Sequence, residues 1–181
     1  MIVKEKNSFQ DYKFIKGNIK FAVIGHIEWI NFIKVDQLPK PGFISHSKKS
    51  LECPAGGGTV IAKRLRELTN GEVHFFTALG DDIYGKQCLN ILEKMGIKLH
   101  VAWRNKPTRR GFSLIDSECE RSITIIGDRL SPIHNDDLNW TTLNDMDGIF
   151  ITAADKELFV KSRVAKTVCT TPRVGLDIIN E

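Results

Sequence analysis

The chain has 181 residues, a hydrophobic fraction of 41%, a charged fraction of 27% and a formal net charge of +4. That length sets one domain, or one domain and part of another, burying roughly 70% of its unfolded surface without disulfide or metal staples. The basic residues are scattered rather than run together, which argues against nucleic-acid and membrane partners and leaves room for a mildly basic cleft facing an anionic substrate.

The four cysteines, Cys53, Cys88, Cys119 and Cys169, form no CxxC pair and have no histidine at zinc-ligand spacing, so they read as free thiols of a reducing compartment. The opening MIVKEKNSFQDYKFIKG lacks the apolar core of a signal peptide, and no later run approaches the ~20 apolar residues of a membrane span. A soluble, cytoplasmic chain is expected, with residues 1–17 an extension ahead of a domain over 18–181.

FAVIG, Phe21 to Gly25, is a short apolar run ended by glycine, as in a buried strand of a parallel sheet. HIEWINFIKV continues with β-branched and aromatic residues until LPKPG breaks the chain, and Phe43 to Glu52 predicts a further strand. After Gly56, Gly57 and Gly58 comes an amphipathic helix with Ile61, Ala62, Leu65 and Leu68 on one face, stopped at Asn70-Gly71. VHFFTALG is a second buried strand. Asp81 or Asp82 caps a second helix, in which Tyr84, Cys88, Ile91, Leu92 and Met95 recur at helical spacing, and Gly96 closes it. IKLHVAW supplies another strand.

From Arg109 to Ile126, GFSLID and RSITIIG flank SECE and read as two strands joined by a polar turn. Then Asn135 or Asp136 starts a short helix, DGIFIT is a strand, Asp155 caps a helix to about Lys166, and RVGLDII is a last strand. Alternating strands and helices predict an α/β fold: a mainly parallel, doubly wound sheet with helices on both faces. The inserts near 26–52 and 109–126 fit poorly inside that sheet and predict a small separate sheet projecting from it.

A strand, glycines and a helix start expose main-chain amides at the positive end of a helix dipole, which suits hydroxyl-rich or anionic ligands. The spacing GxxxxGK[ST] of a nucleotide P-loop is missing, and so is the third glycine of a dinucleotide fingerprint. A sugar-binding turn and a plain tight turn that lets the helix pack both remain.

Gly56-Gly57-Gly58 opening a helix, followed by TALGDDIYGKQCLNILEKMGI, resembles the ribokinase-like (PfkB) carbohydrate kinases. The second segment carries Gly80, Asp81, Asp82, Gly85, Leu92, Gly96 and Ile97 at that family's spacing. The opening FAVIGHIEW, the LPKPG turn, and Thr108 ahead of a strand pair extend the resemblance from Phe21 to about Asp177. It implies a doubly wound α/β domain with a β lid, and transfer of the γ-phosphoryl group of ATP, with Mg2+, to a hydroxymethyl of a sugar or nucleoside. It also implies a lid that excludes water and a homodimer formed through that lid.

The chain departs from the family in three places. The acidic residue expected five positions after Gly25 is Ile30, and Glu28, on the same strand face, is the substitute, while Asn31 faces the other way. Val60 stands where the family carries an asparagine. Neither the N-x-x-E segment nor the GAGD segment, which holds the catalytic aspartate, occurs, so the C-terminal part of the fold is expected to be missing and the catalytic residue is unassigned.

The candidate substrate-binding residues are Glu28, Gly56, Gly57, Gly58 and Asp155, with no metal ligand assigned. Glu28 is either a hydroxyl acceptor or an exposed lid carboxylate, and Asp155 either reaches substrate from a strand end or caps a helix. Asp81 and Asp82 are assigned to capping and to shaping the turn, and His26 to the pocket wall or the core. The expected function is a sugar kinase's substrate half. Its alternatives are a non-catalytic sugar- or nucleoside-binding descendant and a lid dimerisation module.

Overall fold

The computed structural model describes residues 19–47 and 49–172. The extension expected over 1–17 and the strand expected at RVGLDII lie outside them. Among the described residues, no helix is long and apolar enough to cross a membrane.

The first sheet is built from β1 (Lys20–Ile24), β4 (Glu72–Gly80), β5 (Ile97–Arg104), β8 (Gly148–Ile151) and β9 (Thr167–Thr170). All its pairings are parallel and the order is β5-β4-β1-β8-β9, so β1 lies in the middle. The chain leaves β1 toward β4 and β5 by way of α1 (Gly57–Leu68) and α2 (Ile83–Lys94), then returns to the other side of β1 for β8, α3 (Lys156–Lys161) and β9. Alternation along the strands loads both faces. Val23, Val73, Phe75 and Leu79 meet α1 and α2 through Ala62, Cys88 and Leu92. Ala22, Ile24 and Phe76 meet Leu143, Leu158 and Phe159 on the opposite face. Each of these large buried side chains contributes about 1.5–3 kcal/mol of transfer free energy.

The second sheet is the predicted lid. It contains β2 (Glu28–Lys34), β3 (Lys49–Ala55), β6 (Arg110–Ile115) and β7 (Arg121–Ile126), in the order β3-β2-β6-β7. β2 with β3 and β6 with β7 are antiparallel pairs, while β2 and β6 run parallel at its centre. Trp29 and Arg110 seat it on α2. The Trp29 ring lies 5.9 Å from that of Tyr84, and the Arg110 guanidinium lies 4.9 Å over the same tyrosine.

Asp82 ties lid to sheet. It caps α2 by accepting from Gly85 N–H at 2.8 Å, as the sequence predicted, and also accepts from the N–H and hydroxyl of Thr108 at 2.7 and 2.8 Å. Burial raises its pKa, but these hydrogen bonds outweigh that and hold the carboxyl below its ordinary value.

The structure differs from the sequence reading at three elements. The lid strand expected over 43–52 runs Lys49–Ala55 instead, and Phe43 and Ile44 are exposed and lie in no strand among the described residues. No helix starts at Asn135 or Asp136. Asp136 is held by Arg104, with Nη2 to Oδ2 at 2.7 Å, and the helical turn is a 3-10 segment at Trp140–Asp145. The helix capped by Asp155 stops at Lys161 rather than Lys166. The Ser162 hydroxyl donates to the Leu158 carbonyl, and Thr167–Thr170 then pairs with β8 as the last strand of the sheet among the described residues, with little apolar patterning.

Trp140, Phe76 and His100 stack in sequence, and His74 Nδ1 lies 3.0 Å from His100 Nε2. Burial, then the charges of His74 and Lys98, push His100 down to about 4. The unfolded ring titrates near 6.5, so the unfolded state binds more protons between these values and stability falls as pH drops from about 6.5 to 4. Thermal midpoints measured across this range should fall with pH, and His100→Phe, which keeps the stack, should flatten the slope.

Candidate functional site

The site lies at the C-terminal ends of β1 and β8, where the winding of the first sheet changes direction. Open α/β sheets form a ligand crevice at that point because the two neighbouring connections diverge. A cavity of about 520 Å³ opens here, lined by His26, Gly57, Val60, Ile61, Arg129, Thr152, Thr171 and Pro172.

The glycines divide the work of shaping it. Gly56 caps α1 at φ 93°, and a β-carbon there would meet the His26 carbonyl at 3.0 Å. Left-handed φ and close backbone together call for glycine. At Gly58 a β-carbon would stand 2.6 Å from the Phe75 ring, so this position serves packing. Gly57 is the one that faces the cavity, where a β-carbon would make ordinary contacts of 3.4 Å and 3.6 Å with Thr152 and His26. No side chain caps α1 and its first turn has no acidic residue, so the helix presents unshielded positive dipole at the cavity.

Glu28 stands at the start of β2, where the chain enters the lid. Its Oε1 lies 3.4 Å from His26 Nε2 and 3.2 Å from Arg109 Nε. The His26 hydrogen bond, with the charges of Arg109 and Arg129, outweighs burial and holds its pKa below the ordinary carboxylate value. It is therefore ionised at neutral pH, and its carboxylate is partly engaged before any ligand arrives. With Nε2–H donated to Glu28, a neutral His26 ring leaves Nδ1 as an acceptor. That atom is buried, and among the described residues it has no hydrogen-bond partner. The Thr152 hydroxyl is likewise buried without a partner among them.

Asp155 is held elsewhere. It caps α3 through Leu158 N–H at 3.0 Å, accepts from His134 N–H, and pairs with His134 Nδ1 at 2.6 Å. It is not among the residues lining the cavity. Glu157 completes a group with His134 and Asp155 whose ligand atoms lie within 4.8 Å of one another. This set does not fit Mg2+, which demands near-octahedral oxygen ligands, because a ring nitrogen stands in the set and the Asp155 carboxylate already holds two backbone amides. The structure thus brings Glu28 together with the glycine turn and His26 and sets Asp155 apart. It adds Arg109 and Arg129, which stand where the chain crosses between the sheets, and Thr152, just after β8, none of which carries a motif in the sequence.

A family model described as pfkB family carbohydrate kinase matches residues 18–170. The chain belongs to that family. Solved structures carry the same fold. The ribokinase of Arabidopsis thaliana, complexed with ribose and ATP, aligns with 85% of this chain at 19% identity and TM-score 0.64, over 53% of its own length. A nucleoside kinase of Methanocaldococcus jannaschii aligns with 90% at 14% identity and TM-score 0.60, over 54% of its length. Phosphofructokinase-2 of Escherichia coli, in complex with substrates and products, aligns with 88% at 11% identity and TM-score 0.68, over 56% of its length. This pfkB-family chain thus spans about half the length of these relatives. A comparison with curated proteins returned no match.

The division among the glycines can be measured. Gly58→Ala forces the Phe75 ring or the helix to move and should cost about 1–3 kcal/mol in urea unfolding. Gly57→Ala should stay within about 0.5 kcal/mol of the parent, because its β-carbon enters the cavity.

Proposed function

We propose that this chain carries the substrate-binding half and the lid of an ATP-dependent sugar kinase, which phosphorylates a hydroxymethyl group of a sugar or nucleoside in the cytoplasm. The observation that supports this reading best is the cavity at the sheet's switch point, with the glycine turn on one side and the lid carboxylate Glu28 nearby. In this reading the Glu28 carboxylate and His26 Nδ1 accept substrate hydroxyls, and the backbone amides at Gly56, Gly57 and Gly58 donate to substrate oxygens. The lid excludes water, so that the acceptor is the sugar rather than solvent. Asp155 takes part by fixing the segment that follows β8.

ATP, when bound, supplies the phosphoryl group, and Mg2+ offsets its charge. Relatives solved with ATP and with ADP support the nucleotide. The described residues offer one unpaired basic side chain at the cavity and no oxygen-rich cation set, which does not fit a triphosphate with its metal.

A second copy of the chain belongs to this reading as the partner of the lid. By strand register Leu51, Ile123 and Ile125 lie on the lid face that carries Ile30 and Phe32, and all three are exposed, Leu51 at 62%. Such a face suits burial against its own copy. Light scattering should read two chains per particle, and Ile123→Asp should shift it to one.

Titration calorimetry of the purified chain with a panel of neutral and charged sugars and nucleosides tests the site. At least one member should bind saturably, and Gly57→Phe should abolish the heat while the circular dichroism spectrum is kept. A panel that nowhere binds overturns the reading. Binding untouched by Gly57→Phe overturns the location. ADP release with ATP and Mg2+ then reports whether the bound ligand is phosphorylated, and binding without release would overturn turnover by this chain alone.

A further inference from the structure

The charges around the cavity do not balance. No carboxylate is among the described residues that line it, and Glu28, which reaches the lining residue His26, is already matched by Arg109 at 3.2 Å. Arg129 also lines the cavity, and its charge reaches Glu28. Among the described residues it has no ion-pair or hydrogen-bond partner of its own. Its neighbour Asp128 does not neutralise it, because Asp128 is paired with Lys106 at 3.0 Å. One full positive charge is therefore left over beside the cavity.

Two further features add to it. The first turn of α1 meets the cavity at Gly57 with neither a side-chain cap nor an acidic residue. Next to it His26, only 8% exposed, keeps a buried ring nitrogen without a partner among the described residues, which marks the wall as built for a polar ligand rather than for packing alone. Helix dipole and guanidinium act on the same space, and both favour negative charge there. A neutral sugar would leave Arg129 with water as its partner. A sugar bearing an oxyanion would satisfy it.

We propose that the ligand of this site is an anionic sugar, with its carboxylate or phosphate ester held between Arg129 and the first turn of α1 while its hydroxyls meet Glu28 and His26. The proposal rests on the sugar-binding reading of the same cavity and names the class of sugar. Arg129 is then the residue that sets specificity, since a site built around an unpaired cation discriminates against ligands that leave it unpaired. The guanidinium fork suits both carboxylate and phosphate, so the two sources of charge must be separated by experiment.

The experiment is titration of the full 181-residue chain with matched pairs: glucose against gluconate for the carboxylate, ribose against ribose 5-phosphate for the ester, and inorganic phosphate and acetate alone. The anionic member of at least one pair should bind tenfold or more tightly than its neutral partner, and which pair does so identifies the oxyanion. Arg129→Gln should reduce that ratio by about tenfold, Arg129→Lys should keep part of it, and Lys94→Gln, a charge removed from the exposed end of α2, should leave it unchanged. Arg129 is exposed, so its variants should keep the parent's thermal midpoint, which a parallel scan reads.

Neutral sugars that bind as tightly as their anionic partners would overturn the proposal while leaving the sugar site standing. Inorganic phosphate that binds as tightly as ribose 5-phosphate would overturn it too, because the anion would then be attracted without the sugar. So would a preference that persists in Arg129→Gln. A panel in which no sugar of either charge binds would overturn the proposal together with the sugar site.

Discussion

The first turn of α1 packs directly on the backbone at the end of β1, and the site is arranged around that contact. A β-carbon at Gly25 would stand 3.2 Å from the Gly58 α-carbon and 2.0 Å from the Thr152 hydroxyl, and one at Gly58 would press into the Phe75 ring. Helix and strand can approach this closely only where neither carries a side chain. The approach aims the helix's free amides across the end of the central strand, and it brings Gly57, one residue away, to the cavity wall. Core packing and the cavity wall are thus assigned to neighbouring glycines in one turn.

The cavity also lies where the chain passes between the two sheets. Residues 25–28 leave β1 for the lid, 55–57 return from it to α1, 108–110 leave β5 for the lid again, and 126–130 come back. His26, Glu28, Gly57, Arg109 and Arg129 all belong to these crossings. The Asp82–Thr108 hydrogen bonds fix one of them to the cap of α2, so the lid's attachment depends on a helix terminus of the main sheet. Polar side chains at such crossings meet across long sequence separations, which is how a small lid acquires a charged inner end beneath an apolar outer face.

The electrostatics follow from that convergence. Glu28 is kept ionised by its hydrogen bond with His26 and by Arg109 and Arg129, yet its one charge neutralises only one of the two guanidiniums. The surplus sits on the exposed Arg129 at the rim of the cavity, beside Val60 and Ile61, where the positive end of α1 acts on the same space. A net charge of +4 spread over the whole chain gives no hint of where its surplus gathers.

What the sequence determined by itself was whatever depends on near neighbours along the chain. The parallel sheet was legible because FAVIG, VHFFTALG and GIFIT are apolar runs between helical periods, α2 because Asp82 and Gly96 bracket a repeating apolar face, and the lid because its two inserts alternate without helices. The family resemblance rested on the same kind of information, glycines and aspartates at fixed spacing, and it located the turn of the site. Only the tertiary structure decided the rest. The strand Thr167–Thr170 is short and β-branched, but with only Val168 clearly apolar it carries little hydrophobic signal, and it is its pairing with β8 that places it in the sheet. Asp155 and Glu28 looked equivalent in the sequence, two carboxylates near strand ends. The fold binds one to His134 and the cap of α3 and turns the other toward Arg109 and His26. Arg129 has no signature at all, since a basic residue after a lid strand becomes part of a site only when crossings some hundred residues apart in the chain converge on it. Short-range patterning encodes elements and turns, whereas the partners of a charged side chain are set by long-range packing.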